Sequence, residues 1–250
     1  MVRLTFLGHA TVCLRLGDVV LLTDPVLRPH LAFLRWTAPD QRSVPLADVT
    51  ATLISHLHHD HCDLPSLVAL GRDRTLLVPA AAERFFRRHG FTAVVPMHEG
   101  ETQDIAGVAV TATPAAHSGR REPFGPRAEA MGFVVAGDGS RLYFAGDTDL
   151  FPAMSALASP DVALLPVAGW GRTLGPGHLD PVRAAEAVRR IAPRIAIPIH
   201  WGALQPVWHR RAEADTASAP ARTFDTEVRR GGSPTEVVVI RPGETVGLSR

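Results

Sequence analysis

One nine-residue stretch constrains this chain more than any other: residues 55–63, which read Ser-His-Leu-His-His-Asp-His-Cys-Asp. We call this stretch the histidine motif. It directly follows the run Ala-Thr-Leu-Ile at 51–54, which is typical of a buried strand. Neutral imidazole and carboxylate are ligands for zinc and other divalent transition metals. Four imidazoles and a carboxylate within residues 56–61 therefore indicate a metal site at the end of a strand.

The spacing within the motif predicts how its side chains divide. Residues two apart point to the same side only in extended backbone, so we expect His56 and His58 to bind one ion as the strand ends. Asp60 and His61 follow where the chain must turn, and we expect them to face a second ion beside the first. The alternative is a solvated histidine-rich tract that binds metal loosely. It is disfavoured because such tracts do not usually lie between a strand and a capped helix.

Strand and helix patterns alternate along the chain, which predicts a layered α/β architecture. A β-hairpin is predicted over 4–24 and ends in Asp24. A second is predicted over 132–145 and is followed two residues later by Asp147. This similarity indicates a faint internal duplication into two β-rich halves. Helices are predicted at 63–70, 80–89 and 180–191, further strands at 76–78, 94–95, 108–112, 161–166, 195–199 and 236–240, and a loose loop at 212–221.

The composition is that of an ordinary soluble globular protein, with 46% hydrophobic and 20% charged residues in 250. We therefore expect one domain over 1–250. All 26 basic residues are arginine, and the formal net charge of +1 argues neither for nor against nucleic acid. The N-terminus runs straight into a strand pattern and no apolar run is long enough to span a bilayer, so we expect a cytoplasmic protein. Cys13 and Cys62 cannot form a disulfide framework.

Three further candidate ligands share one feature, because each follows a predicted strand. They are His117, Asp147 and His200. Taken alone, a histidine after a strand is more often a surface or hydrogen-bonded residue, and an aspartate there can merely cap a turn. Their recurrence at strand ends, together with the histidine motif, favours a common site.

The chain as a whole resembles the metallo-β-lactamase superfamily, and most closely the branch that contains ascorbate-6-phosphate lactonase and the N-acylphosphatidylethanolamine-type phosphodiesterases. The resemblance is carried, in the same order along the chain, by Gly8–Ala10, the histidine motif, Pro114–His117, Phe144–Thr148, Gly177–Pro181 and Ile199–Gly202. It implies a four-layer αββα sandwich of two β-rich halves. It also implies an enzyme, a metal-dependent hydrolase in which a hydroxide held by two metal ions cleaves a phosphodiester, lactone or related ester of a small molecule.

The resemblance further implies a ligand set for two divalent metal ions, with Zn²⁺ as the default and Mn²⁺ used by the lactonase relatives. His56, His58 and His117 would hold one ion, Asp60, His61 and His200 the other, and Asp147 would bridge the pair. The flavodiiron oxidoreductases of the superfamily place Glu at the position of His58. Imidazole at this position favours hydrolysis over iron redox chemistry.

Roles beyond metal ligation follow from positions in the loops. Asp60 would also orient the hydroxide as a catalytic residue, and His178 is either the catalytic acid or part of the cap of the helix that follows. His9 is expected either to donate to a ligand carboxylate or to pin the first loop. Substrate binding is predicted for Trp170, Arg172 and Trp201.

Two other function classes stay open. One is a nuclease that acts on RNA or single-stranded DNA, against which the near-neutral charge and the absence of an added RNA-binding domain argue. The other is a non-catalytic metal-binding or partner-binding module, against which the complete ligand set argues. We therefore expect a small-molecule substrate and no nucleic-acid or membrane partner. Superfamily members often assemble, so a homo-oligomer stays open.

Overall fold

A computed structural model describes residues 2–37, 46–121, 124–157, 159–171, 174–208 and 214–248. Its strands are β1 (Val2–Gly8), β2 (Thr11–Leu16), β3 (Val19–Thr23), β4 (His30–Leu31), β5 (Leu34–Trp36), β6 (Ala51–Leu53), β7 (Thr75–Pro79), β8 (Val94–Met97), β9 (Thr102–Ile105), β10 (Val108–Pro114), β11 (Met131–Gly137), β12 (Ser140–Phe144), β13 (Val162–Pro166), β14 (Ile195–Ile199), β15 (Leu204–Pro206), β16 (Glu236–Val237) and β17 (Thr245–Leu248). Its α-helices are α1 (Leu64–Leu70), α2 (Glu83–Arg88), α3 (Pro181–Ile191), α4 (Ala214–Ala217) and α5 (Ala219–Arg230).

The two large sheets share one topology. The first has the order β17-β1-β2-β3-β6-β7-β8 and the second the order β16-β14-β13-β12-β11-β10-β9. In each, an antiparallel meander, β1–β3 or β9–β12, is continued by parallel strands, beginning with β6 or β13. Both predicted hairpins are confirmed. The two β-rich halves predicted from the sequence therefore correspond to two sheets of the same design.

The sheets pack face to face, with helices on their outer faces. Phe6 and Leu14 of the first sheet belong to the same buried cluster as Phe133 and Leu142 of the second. Helices α1 and α2 pack on the other face of the first sheet, while α3 and α5 contact β13, β14 and each other. Burying each large apolar side chain contributes roughly 1.5–3 kcal/mol. The four-layer αββα sandwich is confirmed.

Helix starts follow the capping signals in the sequence. The side chain of Asp63 accepts a hydrogen bond from the backbone N–H of Ser66 at the start of α1. Asp180 does the same for Arg183 at the start of α3, and Pro181 occupies the first helical position. In the segment 80–89, a 3-10 turn at 80–82 precedes the α-helix. No helix in the described part of the chain is long and apolar enough to cross a membrane.

Near the C-terminus, one prediction is wrong and another is confirmed only in part. The segment 212–221 is not a loose loop where the structure describes it, because residues 214–217 and 219–230 are helical. Ala221, Phe224 and Val228, spaced three and four residues apart, bury one face of α5, and this helical period outweighs the small polar residues before it. The strand predicted over 236–240 pairs in the sheet only at Glu236–Val237.

A third, small sheet joins two strands of the segment 25–45 to β15. It has the order β15-β5-β4, and all its pairs are antiparallel. Strand β15 begins four residues after His200, so this sheet is tied directly to a strand end of the second large sheet. Residues 38–45 of the same segment lie outside the described ranges.

Candidate metal centre

The structure brings all seven predicted ligands together at one edge of the sandwich. His56, His117 and Asp147 each lie three residues beyond the end of a strand, β6, β10 and β12, and His200 directly follows β14. The strand ends of both sheets face each other here. Residues that are up to 144 positions apart in sequence (His56 and His200) are therefore neighbours in space.

His56, His58 and His117 form one cluster able to hold an ion, with one nitrogen of each lying within 4.8 Å of the others. Their ring centroids are 4.6, 4.7 and 4.9 Å apart. His58 and His117 are half-buried, whereas His56 is fully buried. These are the three histidines that the family resemblance assigned to the first ion. The half-buried His58 and His117 form the open side of the cluster.

Asp60, His61 and His200 form the second cluster, and His9 lies with them. The Nε2 atoms of His61 and His200 are only 3.0 Å apart. His9 Nε2 is 2.9 Å from Asp60 Oδ2, so its N–H donates to the carboxylate. The structure therefore places His9 as a support for Asp60, one of the two alternatives given by the sequence. His9 also belongs to the group of side chains whose ligand atoms lie close enough together to hold an ion.

Asp147 lies between the clusters. Its Oδ2 is 3.2 Å from His61 Nε2, and its Oδ1 is 3.2 Å from His200 Nε2. A separate group of potential ligand atoms joins it to His117 of the first cluster. It also lies 3.4 Å from His178 Nε2. This central position is the one that a bridging carboxylate requires.

The tautomers of the histidines can be inferred from their outer nitrogens. Nδ1 of His61 contacts Asp24 Oδ2 at 2.7 Å, Nδ1 of His117 contacts the Gly177 carbonyl at 2.8 Å, and Nδ1 of His200 contacts the Ala168 carbonyl at 2.6 Å. These partners accept, so each Nδ1 carries a hydrogen, and each ring in its neutral form turns its Nε2 lone pair inward. This is the usual arrangement of metal-binding histidines.

These inward lone pairs fit a cation. Lone pairs on two nitrogens 3.0 Å apart repel each other unless a cation or a proton lies between them. In the described part of the chain, His56 Nε2 and Asp147 Oδ1 are also buried with no hydrogen-bond partner. Buried polar atoms are almost always satisfied, and unsatisfied ones at a cluster of this kind indicate a cation site. The residues present therefore fit divalent metal.

The pKa values of most of these groups favour the protonation states that metal ligands require. Burial lowers the pKa of His117 to about 4 and that of His200 to about 3, so both rings are neutral at neutral pH. Burial alone would raise the pKa of Asp147, but His200 and His61 hold it well below its usual range. His61 differs: burial lowers its pKa, yet Asp147 and Asp60 raise it well above the ordinary value in the metal-free protein.

Asp24 is a residue of the site that sequence reasoning did not assign. It is fully buried, and its carboxylate accepts from the Ser55 N–H at 2.7 Å, the Ser55 hydroxyl at 2.5 Å and His61 Nδ1–H. The Ser55 hydroxyl in turn accepts from His56 Nδ1–H at 2.9 Å. Asp24 and Ser55 thus orient one histidine of each cluster. The available signal was its equivalence with Asp147 in the duplicated hairpins.

His178 faces the site. Its Nδ1–H donates to the Gly175 carbonyl at 3.0 Å, which leaves Nε2 directed at Asp147. The cap of the helix that follows is supplied by the Asp180 side chain. Of the two alternatives for His178, its geometry favours the catalytic one. His59, inside the motif, is exposed.

Arg121 fixes the loop that carries the motif. One guanidinium nitrogen donates to the carbonyl oxygens of Leu57 and Cys62, both at 2.9 Å, and the other lies 3.0 Å from His59 Nδ1. The guanidinium also lies 5.4 Å from the ring centre of Phe85. Because Arg121 follows His117 by four residues, it ties the motif loop to the segment that brings in His117.

The three predicted substrate contacts have different outcomes. Trp170 is 40% exposed next to the site, where a substrate could reach it. Arg172 lies outside the described residues. The prediction that Trp201 contacts substrate is wrong, because the side chain is only 3% exposed. Its indole N–H donates to the Pro198 carbonyl, and its ring centre lies 5.9 Å from that of Phe6 in the core. The residue after His200 turns inward between the sheets rather than toward a substrate.

A cavity of about 430 Å³ lies beside His117. Its wall includes Thr113, Glu129 and Met131. A space of this volume is within the usual range for small-molecule sites. It gives access to the first cluster from the side of β10 and β11.

Comparisons with known proteins agree on one family. Residues 20–201 match the family model described as the beta-lactamase superfamily domain. A UPF0173 metal-dependent hydrolase of Methanopyrus kandleri is 32% identical over 251 residues, covering 97% of this chain and 98% of that protein. Another protein of the same name, from Opitutus terrae, is 34% identical over 253 residues, covering 98% and 99%.

A solved structure extends the likeness to the fold. The chain is similar to Igni18, described as a novel metallo hydrolase from the archaeon Ignicoccus hospitalis, with a TM-score of 0.74 and 25% identity. The match covers 98% of this chain and 97% of the archaeal one. The similarity therefore includes both sheets and the edge where the ligands meet.

Proposed function

The chain belongs to the metallo-β-lactamase superfamily as a metal-dependent hydrolase, and from this premise we propose that it cleaves a phosphodiester, lactone or related ester of a small molecule with two divalent metal ions. The observation that carries the proposal is the pair of facing clusters, with Asp147 between them and lone pairs turned inward. One histidine cluster alone would suit a single ion. Two clusters that share a carboxylate suit catalysis at an open, dinuclear site.

We assign the ions as follows. His56, His58 and His117 would hold the first, Asp60, His61 and His200 the second, and Asp147 would contact both. When bound, such ions lower the pKa of water to about 7 and so supply a hydroxide nucleophile near neutral pH. Zinc suits this imidazole-rich set, and manganese is the alternative.

Asp60 would orient the attacking water. Its pKa, which burial alone would raise, is held well below the usual range by His61 and His9, so the group is a carboxylate at neutral pH. One of its oxygens accepts from His9, and its side chain is 13% exposed toward the opening of the site. A carboxylate held in one orientation can accept a proton of water and direct the oxygen at the substrate.

His178 would supply the proton for the leaving group. A hydrogen bond with Asp147 raises the pKa of His178, although its burial opposes the shift. Its ring is fixed through Nδ1–H at Gly175, so the proton available for transfer is on Nε2, at the site. A histidine whose pKa is raised holds its proton more firmly at neutral pH, as a general acid requires.

Metal analysis coupled to a substrate panel tests the proposal. We expect about two transition-metal ions per purified chain and hydrolysis of at least one class among activated phosphodiesters, lactones and thioesters. His58→Ala should abolish both properties, while His89→Ala, a change of an exposed histidine on α2's C-terminal side, should alter neither. Hydrolysis that persists at wild-type rate in metal-free protein or in His58→Ala would contradict the proposal.

A further inference from the structure

Three aromatic side chains from separate segments form an exposed cluster, which we call the aromatic cluster: Phe33, Trp170 and Trp208. They are 42%, 40% and 65% exposed. Phe33 is in the centre, with Trp170 edge-on at 5.3 Å and Trp208 stacked at 5.3 Å with an angle of 20° between the planes. Aromatic side chains bury large areas in proteins, so three of them grouped in solvent indicate a contact surface.

The aromatic cluster adjoins the second metal cluster. The Ala168 carbonyl accepts from His200 Nδ1–H at 2.6 Å, and Trp170 is two residues further along the chain. A Cβ built on Gly169, between them, would lie 3.8 Å from His200 Cε1. Because consecutive Cα atoms are 3.8 Å apart, the Cα of Trp170 lies within about 7.6 Å of the Cα of Ala168.

The small sheet holds the other two rings in place. The backbone N–H of Val207 donates to the Phe33 carbonyl at 2.9 Å, next to the pairing of Pro206 with Leu34. The strand that leads to Trp208 begins four residues after His200. Both rings are thus attached through short, hydrogen-bonded segments to a predicted metal ligand. A preformed surface of this kind loses little conformational entropy on binding.

The size of the surface decides its occupant. From their exposed fractions, the three side chains offer on the order of 300 Å². A stable interface between proteins buries roughly 800 Å² on each partner. The aromatic cluster is too small for a second copy of the chain, but it matches one ring of a small molecule held at the metals.

We propose that the aromatic cluster binds a planar apolar group, such as a phenyl ring, of the substrate whose scissile bond lies at the metal centre. This inference rests on the proposed hydrolase function. It narrows the substrate class to esters, lactones or phosphodiesters that carry an aryl or similarly flat substituent. Stacking on the exposed face of Phe33 or of a tryptophan would select such substrates over short alkyl ones.

Two phosphonates that differ only in the substituent test the inference. The binding of phenylphosphonate and of methylphosphonate to the zinc-loaded protein would be measured by isothermal titration calorimetry. We expect phenylphosphonate to bind roughly three- to tenfold more tightly. Phe33→Ala should bring the ratio close to one without changing the affinity for methylphosphonate. Val182→Ala, a change of an exposed valine on α3, should leave the ratio unchanged.

The outcomes separate this inference from the function on which it rests. Equal binding of the two phosphonates by the wild-type protein, or an unchanged ratio in both Phe33→Ala and Trp170→Leu, would overturn the inference and leave the metal centre intact. Binding of neither phosphonate would contradict the proposed function itself, and the inference with it. A dimer in sedimentation that Phe33→Ala converts to monomers would also overturn it, because the surface would then be an interface between copies.

Discussion

Asp24 and Asp147 follow corresponding strands of the two halves, yet they make different contacts with the histidines of the site. Strand β3, before Asp24, and strand β12, before Asp147, each end an antiparallel meander and begin a parallel run. Asp147 faces three imidazoles at 3.2 to 3.4 Å and lies between the clusters. Among the described residues, the Asp24 carboxylate is hydrogen-bonded to one imidazole, on the outer side of that ring, and to Ser55.

A shift of two residues accounts for the difference. The N–H of Asp24 donates to Leu53 of the next strand, and in the second half the N–H of Ala145 makes the corresponding bond, to Leu164. Asp147 therefore extends two residues further past the sheet. Gly146 permits this path with a φ of +59°, and a Cβ there would lie only 2.7 Å from Ser55 Cβ.

The two carboxylates also differ in their electrostatics. Burial raises the pKa of Asp24, and its contacts with His61 and Ser55 only partly oppose this. For Asp147, the surrounding imidazoles outweigh burial and the pKa falls well below its usual range. Corresponding strand ends thus give a proposed ligand in one half and a support for a proposed ligand in the other. The number of imidazoles around the carboxylate distinguishes them.

The largest effect should come from Asp147→Asn. The amide removes the charge that both clusters share, so we expect metal content to fall below two ions and hydrolysis to decrease by about 10³-fold or more. Atomic absorption and initial rates would measure this. Asp149→Asn, which affects an ion pair with Arg183 outside the clusters, is the matched control and should keep both ions. Full metal content in Asp147→Asn would remove the distinction between the two aspartates.

Asp24→Asn should have a smaller effect, through the tautomer of His61. An amide NH₂ facing His61 Nδ1 favours the ring form that accepts there and carries its hydrogen on Nε2, which blocks the ligand lone pair. We expect the affinity for the more weakly held ion to fall about 10- to 100-fold in a chelator competition. Asp18→Asn, in the exposed turn of the same meander, should bind metal normally. An unchanged affinity in Asp24→Asn would show that Asp24 does not act through His61.

Ser55→Ala tests the link between the two clusters, and we expect a smaller effect. It removes the hydroxyl that accepts from His56 and donates to Asp24, but leaves both side chains in place. A lost hydrogen bond of about 1 kcal/mol corresponds to roughly fivefold weaker metal binding. The absorption spectrum of the cobalt-substituted protein should change with it, since His56 is freed to rotate. An unchanged spectrum would contradict the role of Ser55.

The smallest effect is expected for Arg121→Met, which leaves every proposed ligand and both aspartates intact. The motif loop loses two hydrogen bonds to its carbonyls, so we expect faster hydrogen exchange over 57–62 and a several-fold loss of metal affinity. Arg127→Met, a change of an exposed arginine six residues further along the chain, is the control. Equal exchange in the two variants would mean that Arg121 does not hold the loop.

Local sequence signals predict much of this architecture. The hairpins, the caps at Asp63 and Asp180, and the histidine motif at a strand end depend on neighbouring residues, and each is found in the structure. The convergence of His117 and His200 on the motif depends on topology, which came from resemblance to a family rather than from the residues alone. The assignment of ions to these side chains stays a prediction.

What the sequence did not provide depends on contacts between distant segments. Nothing near Trp201 indicates that it turns into the core, and nothing near Arg121 indicates its carbonyl partners in the motif. In the sequence, Asp24 is recognisable only as the end of a hairpin. Its contact with His61 is not predictable from neighbouring residues, because His61 lies 37 residues further along the chain. Helix α5 was missed because small polar residues at its start concealed an apolar period that only packing reveals.

Anomalous diffraction from crystals of the zinc-loaded protein tests the central claim most directly, since it locates each ion without reference to a substrate. We expect two peaks about 3.5–4 Å apart, one beside His56, His58 and His117 and the other beside Asp60, His61 and His200. Asp147 should lie between them. A single peak, or two peaks that Asp147 does not contact, would contradict a dinuclear centre shared by the two halves.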